Sequence, residues 1–238
     1  MLQSFVAKIA ELAKPTTVEV EGFIYSDKEL DLVHEKKRRP RCIDVTGLDS
    51  ICKLVRNEAD HIERQIFIQV SSYKEVSVFT TLDSDEERFY LYKCTADTPS
   101  VTVGRYMSYE AAIIELRSLY IPNDGSAELL KLISSVSRES KVSTSDNGVT
   151  QQVEARAGVA LNTTVTVKPR VSLCPFRTFI EVAQPESEFL LRISDKGEIG
   201  LFAADGGVWK LEATRNVAAY FEENLKDLVE SGSVVVIR

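Results

Sequence analysis

The chain has 238 residues, of which 44% are hydrophobic and 27% charged, and its formal net charge is −7. This length suffices for one large domain or two small ones, and the composition excludes a disordered chain. The acidic balance disfavours non-specific attraction to nucleic acid or to an anionic membrane. No apolar run approaches the roughly 18 residues of a membrane span. The N-terminus also lacks the basic start and apolar core of a signal peptide, so we expect a cytosolic protein without a membrane partner.

Cysteine and histidine usage bears on redox state and metal binding. Four cysteines are spread along the chain without a Cys-x-x-Cys pair: Cys42, Cys52, Cys94 and Cys174. The chain has only two histidines, His34 and His61, so a zinc-ligand spacing is absent. These patterns predict free, buried thiols in a reducing cytosol.

The first half of the chain mixes helices with strands. Apolar residues at helical spacing predict a helix over residues 2–12, and alternation predicts a strand over 18–24. Thr46 and Asp49 have the form of a capping box, and a helix follows whose apolar face is Leu48, Ile51, Cys52 and Val55. Strands are then predicted at 66–70, 76–82 and 88–94, the last two as a hairpin around the acidic segment 83–87.

Two helices and then mainly strands are predicted beyond residue 107. Ser108 and Ser126 are the expected caps of the two helices. Residues 134–150 are either a linker or a hairpin centred on Asn147-Gly148, and the Asn-Gly pair favours the hairpin. Further strands are predicted over residues 163–167, 171–174, 178–182, 188–194 and 198–203, followed by a helix through 217–229 and a strand over 233–237.

Because strands and helices come in runs, the sequence predicts an α+β fold. We expect mainly antiparallel strands, about four to five helices and a strand-rich C-terminal half. A single domain over residues 1–238 is expected, with a weak subdivision near Ser140.

No motif for catalysis or cofactor binding is present. There is no Gly-x-Ser-x-Gly elbow and no phosphate-binding glycine loop, and each histidine is predicted to be a surface residue. The acidic residues of 83–87 lack the spacing of a calcium loop and are interpreted as a solvated hairpin tip. We therefore predict no catalytic residue, no metal, no cofactor and no enzymatic activity.

One basic segment is a candidate for nucleic-acid contact. Its members are Lys36, Lys37, Arg38, Arg39 and Arg41. Positive charges at this density are able to contact phosphates, although a solvated loop is the simpler interpretation. Aromatic residues at 89–92 and 176–179 suggest a base-stacking platform, but we expect most of them in the core.

A longer pattern carries a family resemblance. It comprises residues 174–192 (CPFRTFIEVAQPESEFLLR) and 201–209 (LFAADGGVW), with VTGLDS at 45–50, MSYE at 107–110 and DNG at 146–148 before TQQ. This pattern resembles the YfdQ-like family of phage and prophage proteins, a family of unknown function. The resemblance spans most of the chain from about Thr46 and is poor over residues 62–106. It implies a phage or prophage product in a bacterial cytosol and transfers no catalytic residue.

The leading hypothesis is a non-enzymatic protein that acts through protein–protein contact as a homo-oligomer. Its candidate interface is the last strand, with Val234, Val235, Val236 and Ile237, which is able to pair across chains. One alternative is a nucleic-acid-binding accessory protein of phage replication or recombination. Another is an antagonist of a host defence system. The expected partners are a second copy of the chain and a host or phage protein.

Overall fold

The structure, a computed structural model, describes residues 4–6, 8, 14, 16–20, 23–26, 40–59, 61–62, 64–83, 86–136, 141–146, 151–157, 161–167 and 169–238. The chain divides into two compact units, residues 1–39 and 40–238. The expectation of a single domain over 1–238 stays a prediction, and the weak division near Ser140 lies outside the described residues.

The first unit contains a short hairpin. Strand β1 (Thr17–Val20) pairs antiparallel with β2 (Phe23–Ser26). Residues 4–6 and 8 are helical, as the apolar spacing over 2–12 predicts. Alternation identified the region of β1 correctly, although the second strand of the hairpin was not anticipated.

The second unit carries the remaining described elements. Its first part consists of β3 (Ile43–Val45), α1 (Leu48–Glu58), β4 (Ile66–Ser72), β5 (Glu75–Thr80), β6 (Tyr90–Thr95), β7 (Tyr106–Met107), α2 (Tyr109–Ser118), β8 (Tyr120–Ile121) and α3 (Asp124–Val136). Its second part consists of β9 (Lys141–Asp146), β10 (Gln151–Ala157), β11 (Leu161–Val167), β12 (Arg170–Pro175), β13 (Ser187–Ile193), β14 (Ile199–Ala203), α4 (Trp209–Asn224), α5 (Lys226–Glu230) and β15 (Val234–Ile237).

Two five-stranded sheets organise this unit. The first large sheet has the order β15-β4-β5-β6-β3, and the second has the order β7-β14-β13-β12-β8. Each contains a three-stranded meander, β4-β5-β6 in the first sheet and β12-β13-β14 in the second. The last strand of each meander pairs with a short strand that precedes a helix, β3 or β7, and the first strand pairs with a further edge strand, β15 or β8. The flanking strands are parallel to the meander in the first sheet and antiparallel in the second.

The fold class is α+β, as predicted. Of the eleven strand pairs among the described residues, nine are antiparallel; the parallel ones are β15–β4 and β3–β6. The prediction of a strand over residues 178–182 is wrong. That segment forms turns, because its polar groups are tied to the side chain of Gln184 rather than to a neighbouring strand.

Each large sheet has its own apolar core. Helices α1 and α4 cover one face of the first large sheet, where Ile51, Val55, Ile68, Val78 and Phe221 are fully buried. Helices α2 and α3 cover the second sheet in the same manner. The helical face predicted for α1 is confirmed in full, since all four predicted residues are buried.

A third sheet has the order β11-β10-β9 and is antiparallel throughout. The pairing of Asp146 with Gln151 confirms the hairpin interpretation over the linker interpretation. Residues 147–150, which include the Asn-Gly pair, lie outside the described residues.

The predicted helix caps are partly right. Ser108 accepts a hydrogen bond from the Ala111 N–H and caps α2, as predicted. For α3 the cap is Asn123 rather than Ser126, because the Asn123 side chain accepts the Ser126 N–H at 2.8 Å. The capping box predicted for α1 is wrong. Gly47 precedes that helix without a side-chain cap, and a carboxylate oxygen of Glu181 accepts the Leu48 N–H at 2.8 Å.

The loop between β12 and β13 of the second large sheet contacts α4, which covers the first large sheet. The Gln184 amide oxygen accepts the N–H groups of Arg177 and Thr178, and its nitrogen donates to the carbonyl of Phe179. The guanidinium of Arg177 lies 3.8 Å from the ring centroid of Trp209 in α4 and donates to the Ser187 hydroxyl in β13. Burial lowers the pKa of Arg177. This loop belongs to the segment that carries the family resemblance, and its observed role is structural.

Candidate functional site

The predicted interface strand β15 lies at an edge of the first large sheet. Its only strand neighbour among the described residues is β4, with Val234 opposite Ile66 and Ile237 opposite Gln69. Val234 is buried, while Val235, Val236 and Ile237 are partly buried. The strand therefore completes the sheet of its own chain, and no strand of the described ranges pairs with its other side.

The direction of the β15 backbone groups follows from one hydrogen bond. The Ile66 N–H donates to the carbonyl of Ser233 at 2.9 Å. Alternate residues of a strand direct their N–H and C=O groups to the same side, so Val235 and Ile237 face β4. Val234 and Val236 consequently direct their backbone groups to the open edge.

The predicted basic segment does not join this strand. Lys36, Lys37, Arg38 and Arg39 lie outside the described residues. Arg41 is exposed just before β3, which forms the opposite edge of the same sheet. The two sets of candidate residues are therefore not brought together in the described part of the chain.

A row of three aromatic rings crosses the face of the first large sheet that is turned away from α1 and α4. Phe67, Phe79 and Tyr90 are cross-strand neighbours on β4, β5 and β6. The ring centroids of Phe67 and Phe79 are 5.7 Å apart, and those of Phe79 and Tyr90 are 5.4 Å apart. We call these three residues the aromatic row.

Two cations lie against the aromatic row. The guanidinium carbon of Arg88 is 5.8 Å from the Phe67 ring centroid and 5.4 Å from that of Phe79. The ammonium of Lys93 is 5.8 Å from the Tyr90 ring centroid. Both side chains are exposed, and so is Tyr90, at 48%. Asp44 in β3 is the register partner of Lys93 and faces the same side of the sheet.

Sequence reasoning found only part of this row. Tyr90 belongs to it, whereas Tyr92 and Phe179 are core residues, as expected for most of the flagged aromatics. Burial and a hydrogen bond to Glu58 raise the pKa of Tyr92. Phe67 and Phe79 were missed, because their alternation with core residues also fits an ordinary half-buried strand.

The histidines, thiols and carboxylates of the described part of the chain do not form a metal site. His61 is exposed, and His34 lies outside the described residues. Three of the thiols are buried, as predicted, whereas Cys42 is exposed, which corrects the expectation for that residue. Among the described side chains, no group of three or more His, Cys, Asp or Glu is placed to hold a metal ion. The helices of the described ranges are all too short or too polar to span a membrane.

The acidic hairpin tip is less solvated than predicted. Asp83 is largely buried, and its Oδ2 lies 3.7 Å from Nη1 of Arg64. The guanidinium of Arg64 in turn lies 5.1 Å from the ring centroid of Phe89. Asp83 therefore fixes the start of the β5–β6 connection, and only Glu86 is fully exposed among the described residues of the tip.

A shallow pocket of about 260 Å³ lies beside the start of β15. Arg64, Gln65, Ser231 and Ser233 contribute its polar lining. Typical small-molecule sites have volumes of about 300–1,000 Å³ and bury most of the ligand. This pocket is smaller than that range.

Comparisons of the chain with protein-family models, with curated proteins and with solved structures give no match. The resemblance to the YfdQ-like family therefore stays a prediction that rests on the quoted residues.

Proposed function

We propose that the protein is a phage or prophage product that acts in the bacterial cytosol through protein–protein contact, as a homo-oligomer, rather than as an enzyme. The family resemblance supports the phage origin. The open edge of β15 supports the assembly and is the observation that carries the proposal.

The β15 edge differs from the other edges of the two large sheets. It has four residues, whereas the edge strands β3, β7 and β8 have three, two and two. The third sheet has longer edge strands, β9 and β11, but both contain polar residues. Proteins usually protect an open edge with a charge, a proline or a very short strand. All four residues of β15 are β-branched and apolar, so the strand has none of these protections.

A second copy of β15 is the partner that fits this edge. Two copies related by a two-fold axis would pair antiparallel, since the same surface is then used on both subunits. The outward backbone groups of Val234 and Val236 would form the inter-subunit hydrogen bonds. The first large sheet of one subunit would then continue into the first large sheet of the other.

The test uses proline variants, each of which removes one backbone N–H group from one side of β15. Val236→Pro removes an N–H that faces the open edge, whereas Val235→Pro removes one that bonds β4. Proline is tolerated in edge strands when its nitrogen faces outward. We expect light scattering to give a multiple of 26.6 kDa for the wild type and 26.6 kDa for Val236→Pro.

Val235→Pro is the matched control. We expect it to lower the melting temperature more than Val236→Pro, because it breaks the ladder within the chain. A wild-type mass of 26.6 kDa would contradict the assembly. A Val236→Pro variant that keeps the wild-type mass would show that another surface holds the oligomer.

A further inference from the structure

The aromatic row has a geometry that ordinary sheet packing does not require. Its rings lie on three adjacent strands, in line across the sheet, on the face opposite the helix-covered core. Phe79 is 7% exposed and forms the centre of the row. Tyr90 at its end is 48% exposed, so one large aromatic surface is open to a ligand.

Arg88 extends this flat surface beyond the rings. Its guanidinium lies over Phe67 and Phe79 and donates to the carbonyl of Thr80 at 3.4 Å, which fixes its position. Nucleobases stack on guanidinium planes as well as on aromatic rings. Tyr90 and Arg88 therefore offer two neighbouring stacking surfaces on one sheet face.

Two cations beside these surfaces are placed to meet an anionic chain. Arg88 and Lys93 are both exposed next to the rings. Lys93 also has two carboxylates near it on the same face, Asp44 opposite it and Glu75 diagonal to it. A ligand that supplies both flat rings and negative charge satisfies the stacking surfaces and the cations together.

We propose that this face of the first large sheet binds single-stranded nucleic acid. Successive bases stack on the Tyr90 ring and on the Arg88 guanidinium, and Lys93 contacts a phosphate. A single strand fits rather than a duplex, because bases within a duplex are already stacked and do not expose their faces. A protein partner would use the apolar rings without requiring the cations, so it is the less favoured occupant.

The experiment measures fluorescence anisotropy of labelled 20-nucleotide DNA and RNA single strands, and of the corresponding DNA duplex, with the full-length chain. We expect both single strands to bind more tightly than the duplex. Tyr90→Ala should weaken single-strand binding about 5- to 150-fold, because one stacked base is worth about that much. Tyr90→Phe keeps the aromatic ring, so its affinity should lie within about threefold of the wild-type affinity. This change is smaller than the loss expected when a stacking ring is removed.

Tyr106→Ala is the matched control. Tyr106 is 46% exposed on the second large sheet, away from the aromatic row, and its removal should leave binding unchanged. Asp44→Asn should strengthen binding, since it removes the negative charge beside Lys93. Raising the salt from about 50 to 200 mM should weaken binding roughly 2.6-fold for the single phosphate contact at Lys93.

The opposite results would overturn the proposal. These are no single-strand binding at low salt, equal losses for Tyr90→Ala and Tyr106→Ala, or wild-type binding by Tyr90→Ala. If Tyr90→Ala instead changes the mass measured by light scattering and nucleic acid does not bind, the face is a protein contact. Circular dichroism of each variant separates loss of binding from loss of fold.

Discussion

The buried thiols show how burial controls the chemistry of single residues. Burial is the main cause that raises the pKa of Cys52 from 9.0 to about 11. Burial also raises the pKa of Cys94 to about 11. Because the thiolate is the reactive form, these two side chains are inert at neutral pH.

These shifts predict a loss of stability at alkaline pH. A thiol that is harder to deprotonate in the folded state stabilises the fold below pH 9, and this contribution disappears as the pH rises from about 9 to 11. The loss should be about 2 to 3 kcal/mol per thiol over this window. Urea unfolding at pH 8 and pH 11 measures it.

Alanine variants separate the thiols from other alkaline effects. Cys52→Ala and Cys94→Ala should each show a smaller fall in unfolding free energy between these two pH values than the wild type. Cys42→Ala should behave as the wild type, because Cys42 is exposed. An equal fall in all four proteins would refute the assignment.

Tyr90 and Tyr92 show what alternation misses at the scale of single residues. Two residues apart on a regular strand, they should share one face. The register shifts between Val78 and Phe79, so that Leu91 and Tyr92 both enter the core and Tyr90 faces outward. A bulge of this kind depends on the neighbouring strand and has no signal in the sequence of β6 itself.

At the scale of elements, several local patterns predicted the structure correctly, although the caps of α1 and α3 and the strand over 178–182 were wrong, and distant partners were not predicted. The apolar face of α1, the Ser108 cap and the β9–β10 hairpin each depend on residues close in sequence, and each was predicted. The Glu181 cap of α1 comes from a loop 133 residues away. The parallel pairing of β15 with β4 likewise joins segments from opposite ends of the second unit.

The Glu181 cap leads to a prediction for helix α1. Glu181→Ala should lower the unfolding free energy by about 1 kcal/mol, because the helix loses an N-terminal acceptor and a favourable negative charge. Glu181→Gln keeps an acceptor and should cost less. Urea denaturation gives both values. The exposed carboxylate of Glu222 on α4 provides the control, and a Glu222→Ala effect as large as that of Glu181→Ala would contradict the capping role.

At the scale of the whole second unit, two sheets of the same plan are interleaved in the chain. The second large sheet and the third sheet are inserted between β6 and α4, and the chain then returns to the first sheet through β15. Because of this insertion, the strands of the first large sheet lie in two separate parts of the sequence.

The two proposed surfaces are adjacent but separable. Val235 on β15 is the register partner of Phe67 in the aromatic row. A two-fold pairing of β15 would place the aromatic rows of both subunits on one face of the continuous sheet. Val236→Pro alters the strand edge and the packing of Val236 on the core, whereas Tyr90→Ala alters the aromatic row. The two proposals are therefore tested by different variants.

Hydrogen exchange of the β15 amides tests the assembly most directly. In the assembled protein, the Val236 N–H is bonded to the second subunit and should exchange slowly. After dilution to the monomer it should exchange quickly, while the Val235 N–H stays protected by β4 at both concentrations. Fast exchange of the Val236 amide at every concentration would contradict pairing through the β15 edge.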